Sequence, residues 1–145
     1  MKVLRDMGIA FASLLGTAIS VDAAQVNNLP PERVTGVASY VSGGVSDGEV
    51  ERFQAAFKQY PLIVELYEHS GARDEYTADA QVRITDRKGA TVLEQRADGP
   101  FMLVRLPAGD YTVSASLHGQ SLPAHKVHVT DSGHARSVFV FSSPG

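Results

Sequence analysis

The sequence predicts a mainly β protein: a seven-stranded sandwich preceded by one short amphipathic helix and carried behind an export signal. Three observations predict it. A charge-free apolar run lies close to the N-terminus, helical periodicity occurs in one short segment only, and from Pro61 onward the apolar period is two.

Lys2 and Arg5 give a short basic start, diluted by Asp6, and an apolar run follows from Met7 through Ile19. A bilayer span needs about 20 apolar residues, so this run has the form of a signal peptide. Val21-Asp22-Ala23 fits the small-x-small rule, which places cleavage after Ala23. Residues 1–23 are therefore set apart from the fold. The rest, 122 of the 145 residues, is enough for one domain with one core. Export of this kind leads to the periplasm.

The formal net charge is −3, and removing residues 1–23 leaves it unchanged, because Lys2 and Arg5 balance Asp6 and Asp22. An acidic, unpatterned surface offers no footprint for nucleic acid. No second long apolar run exists, so no membrane span is expected after cleavage. Cysteine is absent, which excludes a lipid-modified cysteine, a cysteine nucleophile and a thiolate metal site.

Residues 24–45 carry Pro30-Pro31 and Gly43-Gly44 and read as a flexible leader, with a short strand at Val34–Val41 within it. Residues 46–60 read as the helix. Ser46 and Glu49 have capping-box spacing, Val50, Phe53 and Phe57 share one face, and Pro61 ends the pattern.

Residues 61–141 read as the sandwich. Leu62, Val64 and Leu66 alternate with Ile63, Glu65 and Tyr67 in a first strand, and Val82 and Ile84 mark a second. Asp86-Arg87-Lys88-Gly89 turns into Ala90–Gln95. Phe101–Leu106 is apolar on both faces, as expected of a strand between the core and a covering element. Tyr111–Leu117 alternates cleanly. Lys126–Thr130 and Ala135–Phe141 complete the seven, and residues 142–145 form a tail.

Leu106-Pro107-Ala108-Gly109-Asp110-Tyr111-Thr112-Val113, with the earlier Asp86–Ala90 turn, resembles the carboxypeptidase regulatory-like domain of the transthyretin-like (prealbumin-like) superfamily. The resemblance covers roughly residues 61–141. It implies a Greek-key sandwich in an exported protein without established activity. In this motif Leu106, Pro107, Gly109 and Tyr111 are structural: the proline and glycine make the turn, and the Tyr111 hydroxyl is placed to reach back to loop backbone. Hydroxyisourate hydrolases share the broad fold and carry a Tyr-Arg-Gly-Ser C-terminus. This chain ends Phe141-Ser142-Ser143-Pro144-Gly145, so no catalytic residue carries over.

No nucleophile elbow, P-loop or zincin motif occurs, and no enzyme activity or cofactor is expected. His118, His125 and His128 are the metal candidates, with His134 at the next turn. His125 and His128 are three apart and face opposite ways in a regular strand, so the four read as surface histidines, with a copper or zinc site as the alternative. Glu65 with Glu68, and Asp74 with Glu75, read as carboxylates on solvated faces. Gly43-Gly44 before a capped helix has the form of an anion nest, but Asp47 and Glu49 oppose an anion there, and a flexible turn is expected.

Tyr40, Tyr60, Tyr67 and Tyr76 are candidates for an aromatic binding surface. The polar insertion Ser70–Thr77, with Arg73, Glu75 and Tyr76, is the expected contact for a protein or glycan partner. The strand Ala135–Phe141 is apolar on both faces, so it is expected beneath the helix or in a homodimer contact along a sheet edge.

Overall fold

In the computed structural model, residues 29–143 are described, so the expected export signal and the expected cleavage after Ala23 lie outside the described residues. In chain order the strands are β1 (Arg33–Thr35), β2 (Ala38–Gly43), β3 (Leu62–Ser70), β4 (Arg73–Tyr76), β5 (Gln81–Asp86) and β6 (Thr91–Arg96). They continue with β7 (Phe101–Arg105), β8 (Gly109–Leu117), β9 (Gln120–Ser121), β10 (His125–Val129) and β11 (Ala135–Ser142). Helix α1 (Asp47–Ala56) and a 3-10 turn (Phe57–Gln59) stand between β2 and β3.

The strands form two sheets. One has the order β1-β2-β7-β3-β11, with β4 paired to the outer half of β3. The other has the order β10-β8-β5-β6, with β9 paired to the end of β8. All pairs are antiparallel except β3 with β11, which run parallel from Leu62↔Ala135 to His69↔Ser142.

The seven segments of period-two sequence all lie in strands. Among the described residues the number of strands is nevertheless eleven, not seven. Two of the additions, β4 and β9, are short hairpin partners with polar sequences and no buried apolar side, so periodicity does not mark them.

In the described part of the segment read as a flexible leader, residues 29–45, two strands stand where one short strand is expected at Val34–Val41, namely β1 and β2. β2 is an interior strand, hydrogen-bonded to β1 on one side and β7 on the other, and its Tyr40 and Val41 are buried on opposite faces. The serines and glycines that suggested mobility are there for packing. Gly99 lies so close to Gly43 that an added Cβ would sit 2.4 Å from the Gly43 backbone.

Two apolar clusters divide the interior. Leu62, Val64, Leu66, Val82, Ile84, Met102, Val104, Val113, Phe139 and Phe141 fill the space between the sheets. Ile63, Phe101 and Leu103 on the outer face of the first sheet receive Phe53, Ala56 and Tyr60. β7 is thus buried on both faces, as its sequence requires. Arg136 of β11 lies 5.8 Å from the Phe57 ring, while Val138 and Val140 further along the strand remain 40% and 39% exposed. Its other face, with Phe139 and Phe141, is in the core.

The helix start departs from the expected capping box. Ser46 Oγ accepts from Glu49 N at 3.3 Å, but the Glu49 carboxylate passes the cap residue and accepts from Gly44 N at 2.6 Å and Val45 N at 3.1 Å. The diglycine is neither a plain flexible turn nor an open nest. The amides of Gly44 and Val45 are held by the chain's own carboxylate.

Candidate functional site

The β3–β4 hairpin turns through Gly71, at φ +66°, and pairs Tyr67 with Tyr76 and Ser70 with Arg73. Cross-strand neighbours bring their side chains together. The Tyr67 and Tyr76 rings stack at 5.4 Å with planes 28° apart, and Tyr76 meets Phe101 edge-on at 5.4 Å. Arg73 and Glu75, two apart on β4, approach to 3.9 Å and are both exposed. Tyr67, Arg73, Glu75 and Tyr76 line an open cleft of about 490 Å³.

The platform stands on a buried carboxylate. Glu65 is 2% exposed, which corrects its reading as a solvated acid. It projects to the helix side of the first sheet, together with Ile63 and Tyr67. One oxygen accepts the Tyr67 hydroxyl at 2.6 Å. The other accepts Nε of Arg136 at 2.7 Å and its Nη2 as well. A buried charge survives only when paired and hydrogen-bonded, and Arg136 on β11 supplies the pairing. Burial raises the Tyr67 phenol pKa, and the hydrogen bond to the Glu65 carboxylate raises it further. The Tyr67 ring is therefore fixed from below and offers only its face to Tyr76.

The other two tyrosines do not belong to this surface. Tyr40 is in the core between the sheets. Tyr60 is buried, and its hydroxyl donates to Glu32 at 3.0 Å. Glu32 also accepts from Ser39 and Arg105, and the Arg105 guanidinium lies 4.2 Å from the Tyr60 ring centroid. Burial alone would raise the Glu32 pKa, but the bonds from Ser39, Arg105 and Tyr60 outweigh it and hold the carboxyl below its ordinary value. Tyr60 is pushed up to about 12, by burial first and by Glu32 second. This network ties the chain ahead of β1 to β2, β7 and the 3-10 turn. Sequence reasoning missed it because Glu32 and Arg105 are 73 residues apart.

The histidines are dispersed. His118 (φ +49°) and Gly119 (φ +82°) form the two-residue turn between β8 and β9, where positive φ at both positions suits a hairpin. His125 is half-buried, its ring stacked on Phe139 at 4.2 Å and its Nδ1 hydrogen-bonded to Ser137 Oγ at 2.7 Å. It is therefore not the surface histidine expected of it. His128, on the opposite face of β10, is exposed and pairs with Asp110 at 2.6 Å. His134 Nδ1 meets the Tyr60 carbonyl at 3.2 Å. Among the described residues, no three His, Cys, Asp or Glu side chains come together as a metal-binding group.

The Leu106–Tyr111 motif has a structural role. Leu106 and Tyr111 are buried, and the Tyr111 hydroxyl donates to the Pro107 carbonyl at 2.7 Å, closing the turn that contains Gly109. No helix among the described residues is long and apolar enough to cross a membrane.

Fold and site together define a two-sheet β-sandwich with a helix docked on the outer face of one sheet and a tyrosine pair exposed beside it. No protein family matches the chain, and no curated protein matches it. Among solved structures, one titled "Crystal Structure of S.CueP" is similar over 94% of this chain and 97% of that one, at 18% identity and a TM-score of 0.44. Likeness at that level carries no argument about function, so the reading below comes from this chain's own residues.

Proposed function

We propose that the chain is an exported, non-catalytic interaction module of the periplasm, a carboxypeptidase regulatory-like Greek-key sandwich that binds a protein or glycan partner through its β3–β4 hairpin. The observation that carries this reading is the Tyr67–Tyr76 stack. Its outer ring is 46% exposed, it is flanked by Arg73 and Glu75, and it is anchored to the buried Glu65 and its ion-pair partner Arg136. Rigid aromatic faces beside charged side chains are the usual anchors of recognition surfaces, because they lose little entropy on binding. The charge-free run before Ala23 supports export, and the Leu106–Tyr111 motif supports the family resemblance. A copper or zinc site using His118, His125 and His128 is the lesser reading, since each of these rings faces a different environment.

Photo-crosslinking in cells of the native organism, with the probe at position 75, tests the proposal. One reproducible adduct, lost in Tyr76→Ala and retained in Lys58→Ala, is the expected result. If crosslinking at this position captures no partner, and an array of glycans is not retained, the hairpin is not a recognition surface.

A further inference from the structure

The first sheet ends on β11, and the hydrogen bonds of this strand show which of its groups are used. Ala135 N donates to the Pro61 carbonyl at 2.9 Å and Ser143 N to the His69 carbonyl at 3.0 Å. Backbone groups of successive residues in a strand point to opposite edges. The odd-numbered residues of β11 therefore bond to β3, and the N–H and C=O groups of Arg136, Val138 and Val140 point away from it. Ser142 points the same way, and its N–H donates to Gln120 Oε1 at 3.0 Å. Among the described residues no strand pairs with this edge. β10 packs against β11 through the stack of His125 on Phe139, but its backbone pairs with β8.

Open edges are ordinarily blunted by a charge, a proline or a bulge. From Ser137 to Ser142 the strand has neither charge nor proline, and its register with β3 is unbroken. On its outer face Val138 and Val140 remain about two-fifths exposed. The edge thus offers unpaired amides and carbonyls beside an apolar row. An uncharged, apolar strand answers both, and β11 is itself such a strand.

We propose that β11 pairs with the β11 of a second copy, antiparallel about a two-fold axis at Val138. Val138 then lies opposite its own counterpart, and Val140 lies opposite the Arg136 position of the other copy. Arg136 is already paired with Glu65, so no like charges meet across the axis. This register uses the open stretch from Arg136 to Val140 and leaves Ser142 with Gln120. Residues directly opposite in an antiparallel pair share a face, so both outer faces lie on one side of a continuous sheet. Tyr67 stands beside Val140 and Tyr76 one strand further from the axis, so the hairpins stay uncovered. The pairing stands whether or not the hairpin binds a partner.

Sedimentation velocity over a concentration series tests this. A reversible monomer–dimer equilibrium with a Kd of about 10–100 µM is expected, because one pair of short strands buries less than the roughly 1,200–2,000 Å² of a standard interface. Val138→Lys sets two lysines face to face and should weaken the dimer at least about tenfold. Position 138 is part-exposed in the single chain, so the urea midpoint of this variant at low concentration should match the parent. Val138→Cys, in a chain with no other cysteine, should oxidise readily to a covalent dimer, and Val34→Cys, at an exposed position on β1, far more slowly. Tyr76→Ala should dimerise as the parent does. The proposal is overturned by a protein that stays monomeric to millimolar concentration, which would leave the edge to an extended segment of another protein. A dimer unchanged in Val138→Lys, or equally fast crosslinking through Val34→Cys, would overturn it as well.

Discussion

Glu65 shows how one residue joins packing to the surface. Its carboxylate is nearly excluded from water, yet Arg136, which neutralises it, is a little over half exposed. Removing one member of a buried pair leaves the other charge stranded, at a cost of about 3–5 kcal/mol, whereas an apolar replacement of both is often neutral. Arg136→Met should therefore lower stability by about 3 kcal/mol, toward the low end because solvent reaches the guanidinium. The Glu65→Leu/Arg136→Met double variant should recover most of that loss. Urea unfolding of the three proteins checks this, and a double variant weaker than the single would mean that the pair adds net stability. Nothing in the sequence marks Glu65. Its neighbours Ile63 and Tyr67 share its face, and a single acid in such a row reads as solvated until the helix and Arg136 are placed above it.

At the scale of elements, the helix entry is the place where local sequence and tertiary contact are hardest to separate. The spacing of Ser46 and Glu49 announces a helix start, and the helix does begin at Asp47. What spacing does not announce is that Glu49 reaches beyond the cap to the amides of Gly44 and Val45, or that Gly44, at φ +103°, has no room for a Cβ beside Phe101. The hydrogen bonds from Gly44 first and Val45 second, opposed in part by burial, hold the Glu49 pKa below its ordinary value. The unfolded chain thus takes up this proton more readily than the folded one. The contribution of Glu49 is complete above the unfolded carboxyl pKa of about 4.3 and is lost as pH falls through the lower folded value. Glu49→Gln, which keeps an acceptor but cannot titrate, should narrow the difference in urea midpoint between neutral pH and about pH 3. An unchanged difference would place the acid sensitivity elsewhere, with Glu32 as the next carboxyl to replace. The strands were legible for the opposite reason. Their apolar alternation is a local pattern with a global cause, and it held wherever one face met the core. It was silent for β4 and β9, which are short, polar hairpin partners.

For the whole molecule, the main departure from sequence reasoning is where the domain begins. Residues 61–141 contain all seven segments with a strand pattern, and the family resemblance covers the same stretch, so Pro61 looked like the boundary. The first sheet contradicts this. β2 lies against β7 from Ser39↔Arg105 to Gly43↔Phe101, and without it one edge of β7 would lose its ladder. Removal of residues 29–60 would also uncover Ile63, Phe101 and Leu103, all close to 0% exposed, by taking away Phe53, Ala56 and Tyr60. Losing a buried phenylalanine side chain alone costs about 3–5 kcal/mol. A domain of this size has about 5–15 kcal/mol in total. A fragment of residues 61–145 should therefore fail to unfold cooperatively and lose the amide dispersion of a packed sandwich. A fragment starting at residue 29 should retain both. Cooperative folding by the shorter fragment would mean that β1, β2 and the helix form an appendage. It would return the boundary to Pro61 and leave the outer face of the first sheet free to take up something other than its own helix.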